Sequence, residues 1–198
     1  MLNKKSDLPR GSKKLIRAWT FYDWANSAFS TTVVAGFFPI FFGAYWADPN
    51  NVNQSTFQLG VANSVASIII ALISPILGAI ADCASAKKKF LITFAFLGMT
   101  MTGALWFVGH GEWELAVFVY IMASIGFMSG NIFYDSLLPI VADRNKLDYV
   151  SSFGYGLGYL GGGLLFFINV QDSPKNNNPR IRYVFSLMLK LLIFLKNK

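Results

Sequence analysis

The sequence has one cysteine, Cys83, and one histidine, His110. A single thiol excludes an intramolecular disulfide, and one imidazole beside it leaves no metal-ligand cluster of recognisable spacing, so neither a disulfide scaffold nor a metal or other cofactor is expected. Charge is scarce too: 14% of the 198 residues are charged, against about 25% in ordinary globular domains. With 54% of the chain hydrophobic, that scarcity argues against a water-soluble fold. Disorder is excluded by what is abundant, because 19 Phe, 8 Tyr and 5 Trp offer enough apolar surface to offset the entropy of ordering. The net charge of +7 raises nucleic acid as a partner, but the basic residues sit between apolar runs instead of forming one face. No nucleic acid is expected.

A bilayer core about 30 Å thick needs about 20 apolar residues of helix, since open backbone polar groups cost several kcal/mol in lipid. Five stretches have that length: 18–46, 59–81, 90–109, 115–142 and 151–170. Apart from Asp23 and Asp135 they hold no charged residue. The expected fold is an all-α integral membrane protein of five transmembrane helices within the bilayer, residues 18–170, preceded by a basic tail, 1–17.

Lys and Arg orient such a bundle, because short basic loops stay in the cytoplasm during insertion. The tail carries Lys4, Lys5, Arg10, Lys13, Lys14 and Arg17, the second loop Lys87, Lys88 and Lys89, and the fourth loop Arg144 and Lys146. The first loop, 47–58, and the third, 110–114, have none. This alternation predicts a cytoplasmic N-terminus. A polybasic lipid contact is a second reading of the tail; a signal peptide fits poorly, because the apolar run exceeds about 15 residues and no small-residue cleavage site follows.

Alternation breaks after Val170. Lys175, Arg180 and Arg182 flank an Asn-Pro stretch where an outside loop is due, and the last apolar run, Tyr183 to Leu195, is 13 residues interrupted by Lys190. At about 20 Å of helix it is short for a span. Residues 171–198 are therefore read as an atypical basic tail, out of frame with or cut from the ancestral chain.

The stretch Trp19-Thr20-Phe21-Tyr22-Asp23-Trp24-Ala25-Asn26-Ser27-Ala28-Phe29 resembles the opening of the first helix in vacuole-effluxer-like transporters, a branch of the major facilitator superfamily named after the autophagy-related amino-acid effluxer. Ser74-Pro75-Ile76-Leu77-Gly78-Ala79-Ile80-Ala81-Asp82 and the fourth and fifth spans resemble it as well. The resemblance implies the N-terminal half of a major facilitator fold in a bacterial inner (cell) membrane, secondary transport of a small solute such as an amino acid, and no enzymatic activity. It also implies a cytoplasmic gate between the second and third spans: Gly78, Asp82 and the basic cluster Lys87, Lys88 and Lys89. Glycine permits close helix approach, and an acid at a helix end can hold a neighbouring helix through a charge-assisted hydrogen bond. Cys83 and Ala84-Ser85-Ala86 depart from the usual basic and glycine-containing turn. The lysines serve topology in any case.

An ionisable group at membrane depth costs about 2.5 to 3.5 kcal/mol on insertion scales, so it implies a task or a partner. Asp135 follows Asn131 by one helical turn on the same face and precedes Pro139 by another. It is read either as a contact for solute, proton or cation, or as a cap at the cytoplasmic interface. Asp23 is equally open. The first apolar stretch is longer than the core needs, and Trp19, Tyr22 and Trp24 can form an interfacial belt that leaves Asp23 at headgroup depth. Asn26, on nearly the same face, is slightly deeper. In the second span Asn63 heads a polar stripe with Ser64 and Ser67, which lines a cavity or bonds between helices. The candidate solute or ion path is thus Asp23, Asn26, Asn63, Asn131 and Asp135.

The fifth span holds Gly154, Gly158 and Gly162, a four-residue repeat that lets two helix backbones touch. Gly156, Gly158 and Gly161 match a dinucleotide-binding spacing but lack its strand and its soluble helix. Two six-helix halves are needed for alternating access. Five spans then imply a chain not competent alone, acting with a second half or with itself. A second class of function is a non-transporting bundle that assembles or stabilises a partner through its glycine face. A third, intramembrane proteolysis by Asp23 and Asp135, lacks the Gly-x-Gly-Asp element of such proteases.

Overall fold

The computed structural model describes residues 9–83 and 87–172, with side chains over 9–82 and 87–167. Residues 173–198, most of the tail set apart above, lie outside the described residues, as do Ala84, Ser85 and Ala86. Five long helices follow one another: α1, Lys13–Trp46; α2, Val52–Cys83; α3, Lys87–Ala104; α4, Trp113–Val141; and α5, Leu147–Asp172. No strand occurs among the described residues. The chain is an all-α integral membrane protein, with α1 to α4 each long and apolar enough to cross a bilayer.

All five helices begin before their apolar stretches, with side-chain caps at the starts of α1 and α2, whereas α3 stops at Ala104, short of the expected 109, in the 3-10 turn Leu105–Phe107. At the start of α2, the Asn51 side chain accepts a hydrogen bond from the Gln54 N–H (3.1 Å) and donates to Gln54 Oε1 (3.0 Å). That reciprocal bond starts the helix at Val52, in polar sequence. Ser12 caps α1 by accepting from the Leu15 N–H. Just before it, Gly11 has φ +76° and lies against the Asp143 carboxylate. Its N–H donates to Val141 O at 2.9 Å, tying the start of α1 to the end of α4.

Nothing in the residue pattern announces the backbone of α1. It is π-helical over Phe29–Phe37 and Phe42–Trp46, with an α-helical turn, Phe38–Phe41, between them. Pro39 in that turn offers no N–H and crowds the preceding carbonyls, and wide turns on either side take up the displaced bonds.

Two kinds of seam hold the bundle. Glycine brings backbones together where α3 meets α4: a Cβ at Gly126 would stand 2.6 Å from Gly98 N. Glycine also makes room where α1 meets α5, there for side chains of α1. A Cβ at Gly154 would lie 2.6 Å from the Trp19 ring, at Gly158 2.5 Å from Ser27 Oγ, and at Gly162 2.6 Å from Thr31 Oγ1. Between α1 and α4, by contrast, large rings keep the backbones apart. Trp19 stacks on Tyr134 (4.3 Å), Phe29 meets Phe127 (4.8 Å) and Phe38 stacks on Tyr120 (3.9 Å). Residue numbers rise along α1 as they fall along α4, so the two helices run antiparallel over most of their length. One buried cluster forms around Phe38, Phe42, Trp46 and Tyr120, another around Trp19, Phe133, Tyr134 and Val150.

Candidate solute path

Polar side chains gather on the α1–α4 seam beside the second cluster. Asn26 Nδ2 donates to Asn131 Oδ1 at 2.7 Å, joining the two helices. Asp23, three residues earlier on α1, is half-buried, and Asp135, four residues later on α4, is exposed. The antiparallel register brings these carboxylates into electrostatic range of each other. Asp135 lies eight residues beyond Phe127, the centre of α4, or about 12 Å along the axis.

Tyr22 and Tyr134 stand beside the acids within the seam, and Tyr155 and Tyr159 lie exposed on α5. Tyr22 stacks on Tyr134 at 5.1 Å, and its hydroxyl lies 3.6 Å from the Cβ position of Gly130. Tyr134 is in electrostatic range of both carboxylates. Its hydroxyl is buried with no hydrogen-bond partner among the described residues. From α5, Tyr155 reaches the field of Asp23, and its hydroxyl shares a 3.0 Å hydrogen bond with that of Tyr159. Asp23 Oδ2 also lies 3.4 Å from the Cβ position of Gly158. The missing side chain therefore admits Ser27 of α1, which fills the space next to the carboxylate.

Four of the five path residues named from sequence are thus brought together, and Asn63 is not. Its Oδ1 accepts from the Tyr120 hydroxyl at 2.8 Å, and Tyr120 precedes Asn131 on α4 by eleven residues, about 16 Å of helix. Asn63 is an interhelical hydrogen-bond partner there, the second of the roles its stripe allowed. Of the expected aromatic belt, Trp19 reads differently: it is 6% exposed, and its indole N–H donates to Tyr134 O at 3.2 Å, while Trp24 touches Gly161 and stays exposed. Rings that satisfy hydropathy at the interface satisfy it equally inside the bundle. Tyr134, Tyr155 and Tyr159 were missed; their one signal was the recurrence of Tyr-Asp at 22–23 and 134–135, with Tyr155 and Tyr159 one turn apart.

The gate residues are less connected. A Cβ at Gly78 would meet nothing within 4 Å, and Asp82, Lys88 and Lys89 are exposed. Lys87 Nζ donates to Ser136 O at 3.2 Å. That carbonyl adjoins Asp135 O, which loses its helical donor to Pro139.

The Asn26–Asn131 bond has a measurable strength. In a double-mutant cycle with Asn26→Ala and Asn131→Ala, the coupling expected is about 0.6 kcal/mol, near the average for interhelical hydrogen bonds in membranes. Reversible unfolding in mixed micelles measures it, and zero coupling would contradict the contact.

The family model for vacuole effluxer Atg22-like proteins matches residues 44–195. The chain belongs to that family. An uncharacterized MFS-type transporter, YxiO, of Bacillus subtilis (strain 168) is 38% identical over 154 residues, which cover 77% of this chain and 36% of the relative. An uncharacterized protein of Aquifex aeolicus (strain VF5) is 25% identical over 190 residues, 95% of this chain and 46% of that one. No solved structure matches the chain. This Atg22-like chain therefore spans less than half the length of these two relatives, and it is a member of a transporter family. The family match starts beyond Trp19–Phe29 and extends past residue 170.

Proposed function

We propose that this Atg22-like chain forms one side of the path of a secondary transporter for small solutes, amino acids among them, and that it works with further helices. Those helices come from more of the same polypeptide, from a second copy or from a separate chain. The membrane is a bacterial inner membrane, with the N-terminus in the cytoplasm. The observation that carries this reading is the pair Asp23 and Asp135, set with Asn26 and Asn131 on facing helices that are long and apolar enough to cross a bilayer. Charged groups are kept in such helices where they meet a solute, an ion or each other. The exposure of Asp135 on α4 and the open surface at Gly78 and Asp82 on α2 leave room for the added helices. Lys87 fits a gate, because its bond to Ser136 O links the start of α3 to the end of α4 next to Asp135.

The test is uptake of radiolabelled amino acids into proteoliposomes, first with this chain and then with the chain extended or co-expressed with the remaining helices of a relative. Uptake is expected only in the second case and is expected to fall at least ten-fold with Asp23→Asn or Asp135→Asn. Uptake by this chain alone at the same rate would overturn the need for added helices. Full uptake by both variants would overturn the path.

A further inference from the structure

We propose that the end of the bundle where α1, α3 and α5 start is a docking surface for anionic phospholipids of the bilayer, separate from the solute path. Three observations point to that partner.

The first is placement. Basic segments far apart in sequence, 10–17, 87–89 and 144–146, are gathered at one end. A single buried cluster there joins Trp19 of α1, Leu91 of α3, Val141 of α4 and Val150 of α5. The Gly11 N–H donates to Val141 O at 2.9 Å and Lys87 Nζ to Ser136 O at 3.2 Å, so the first two segments flank the end of α4 and the third continues from it. Every Lys and Arg among the described residues belongs to these segments. The far end, around Trp46 and Val108, presents exposed Asp48, Glu112 and Glu114 instead.

The second is availability. Lys13, Lys14 and Arg17 on α1, Lys88 and Lys89 on α3, and Lys146 before α5 are exposed. No ion pair joins any of them to an acid among the described residues. Asp82, Asp143 and Asp148 lie at the same end, and Asp143 is turned to Gly11. The Ser12 cap holds Lys13, Lys14 and Arg17 on a formed helical turn rather than a loose tail, which fixes their depth. An anionic surface attracts such cations strongly at short range.

The third is what lies beneath the cations. Phe21 follows Arg17 by one turn and Ile92 follows Lys88 by one turn, each pair on one helix face, and Tyr149 comes three residues after Lys146. They are 43%, 67% and 71% exposed. Tyr149 also stacks on Phe153 at 6.2 Å, which carries exposed ring surface one turn further into the apolar layer. Each basic segment thus sets a cation at headgroup level above apolar or aromatic surface at acyl-chain level, the two parts of a phospholipid. Topology requires the cations alone. A soluble phosphate or an acidic protein would meet the cations and leave the surface beneath them unused.

Electron spin resonance of spin-labelled lipid, in phosphatidylcholine vesicles that hold the full chain, tests this. Labelled phosphatidylglycerol is expected to be retained at the protein surface at least three-fold more strongly than phosphatidylcholine carrying the same label. With Lys13→Gln, Lys14→Gln, Lys88→Gln and Lys89→Gln combined, the ratio is expected to fall to near one. Those lysines also direct insertion, so wild-type protein acetylated on lysine after purification and before reconstitution serves as a second variant, with the same fall expected. Elution of each as a single wild-type-like peak confirms that it is folded. Millimolar glycerol phosphate is expected to leave the wild-type ratio unchanged. A wild-type ratio near one, or a ratio that survives both ways of removing charge, would overturn the docking surface. Displacement of the labelled lipid by glycerol phosphate would overturn it as well, by showing a site for soluble phosphate. Amino-acid uptake plays no part in these readings, so the surface and the path stand or fall separately.

Discussion

Gly126→Leu is expected to remove folded protein almost entirely, and Gly126→Ala to cost about 1 to 3 kcal/mol, the usual range for overpacking. A Cβ at Gly126 would stand 2.6 Å from Gly98 N and 2.9 Å from both Gly98 Cα and Phe94 O. All three are backbone atoms, so no side chain can swing away and α3 itself must move. Gly60 and Gly156 supply the control, because a Cβ at either meets nothing within 4 Å. Alanine there is expected to be neutral or to stabilise by up to about 1 kcal/mol through helix propensity. Monodisperse yield in mild detergent and its loss on heating measure both. A Gly126→Leu variant as stable as wild type would show that α3 and α4 do not touch here.

The second large effect is expected at Trp19→Ala, about 3 kcal/mol for a large ring removed from a packed interior. Trp19 joins three helices: it stacks on Tyr134 of α4, donates to Tyr134 O, and fills the space over Gly154 of α5. Trp19→Phe keeps a ring but loses the N–H donor and part of the indole volume, so a smaller cost of about 1 to 2 kcal/mol is expected. Unfolding in the same micelles measures both costs. Equal and negligible costs would place Trp19 at the lipid surface, as a belt residue.

Trp19 also shows where sequence stops being informative. Hydropathy locates a ring in the apolar layer but cannot choose between lipid and a neighbouring helix, because both are equally dry. The helices themselves were legible, since a long run without charge has few alternatives in lipid. Their starts extended further because caps such as Asn51 with Gln54 act on the backbone and leave apolar content unchanged. Close approach at Gly98 and Gly126 was marked on one side only: α4 carries Gly126 and Gly130 four residues apart, both facing α3, while α3 contributes the single Gly98. The fifth span, with small residues every four positions, advertises its packing face. At the site, Asp23 and Asp135 stood out by their cost in lipid. The tyrosines around them did not, because tyrosine is unremarkable in a membrane helix until the register of two helices is known. Asn63 carried the same signal as Asn131, and only the pairing with Tyr120 distinguishes them.

The claim beneath the functional reading is that the α1–α4 seam is wet while other exposed surfaces of the bundle face lipid. Exposure alone does not separate them: Asp135 is exposed, and so are Leu72 at 71% and Ile92 at 67%. Cysteine accessibility does. With Cys83 replaced by alanine, single cysteines at positions 26, 131, 135, 72 and 92 are treated in membranes with a water-soluble methanethiosulfonate carrying an ammonium group. Cysteines in place of Asn26, Asn131 and Asp135 are expected to react at least ten-fold faster than those in place of Leu72 and Ile92. Equal rates at all five positions would mean that the seam is as dry as the lipid face, and the path would not exist.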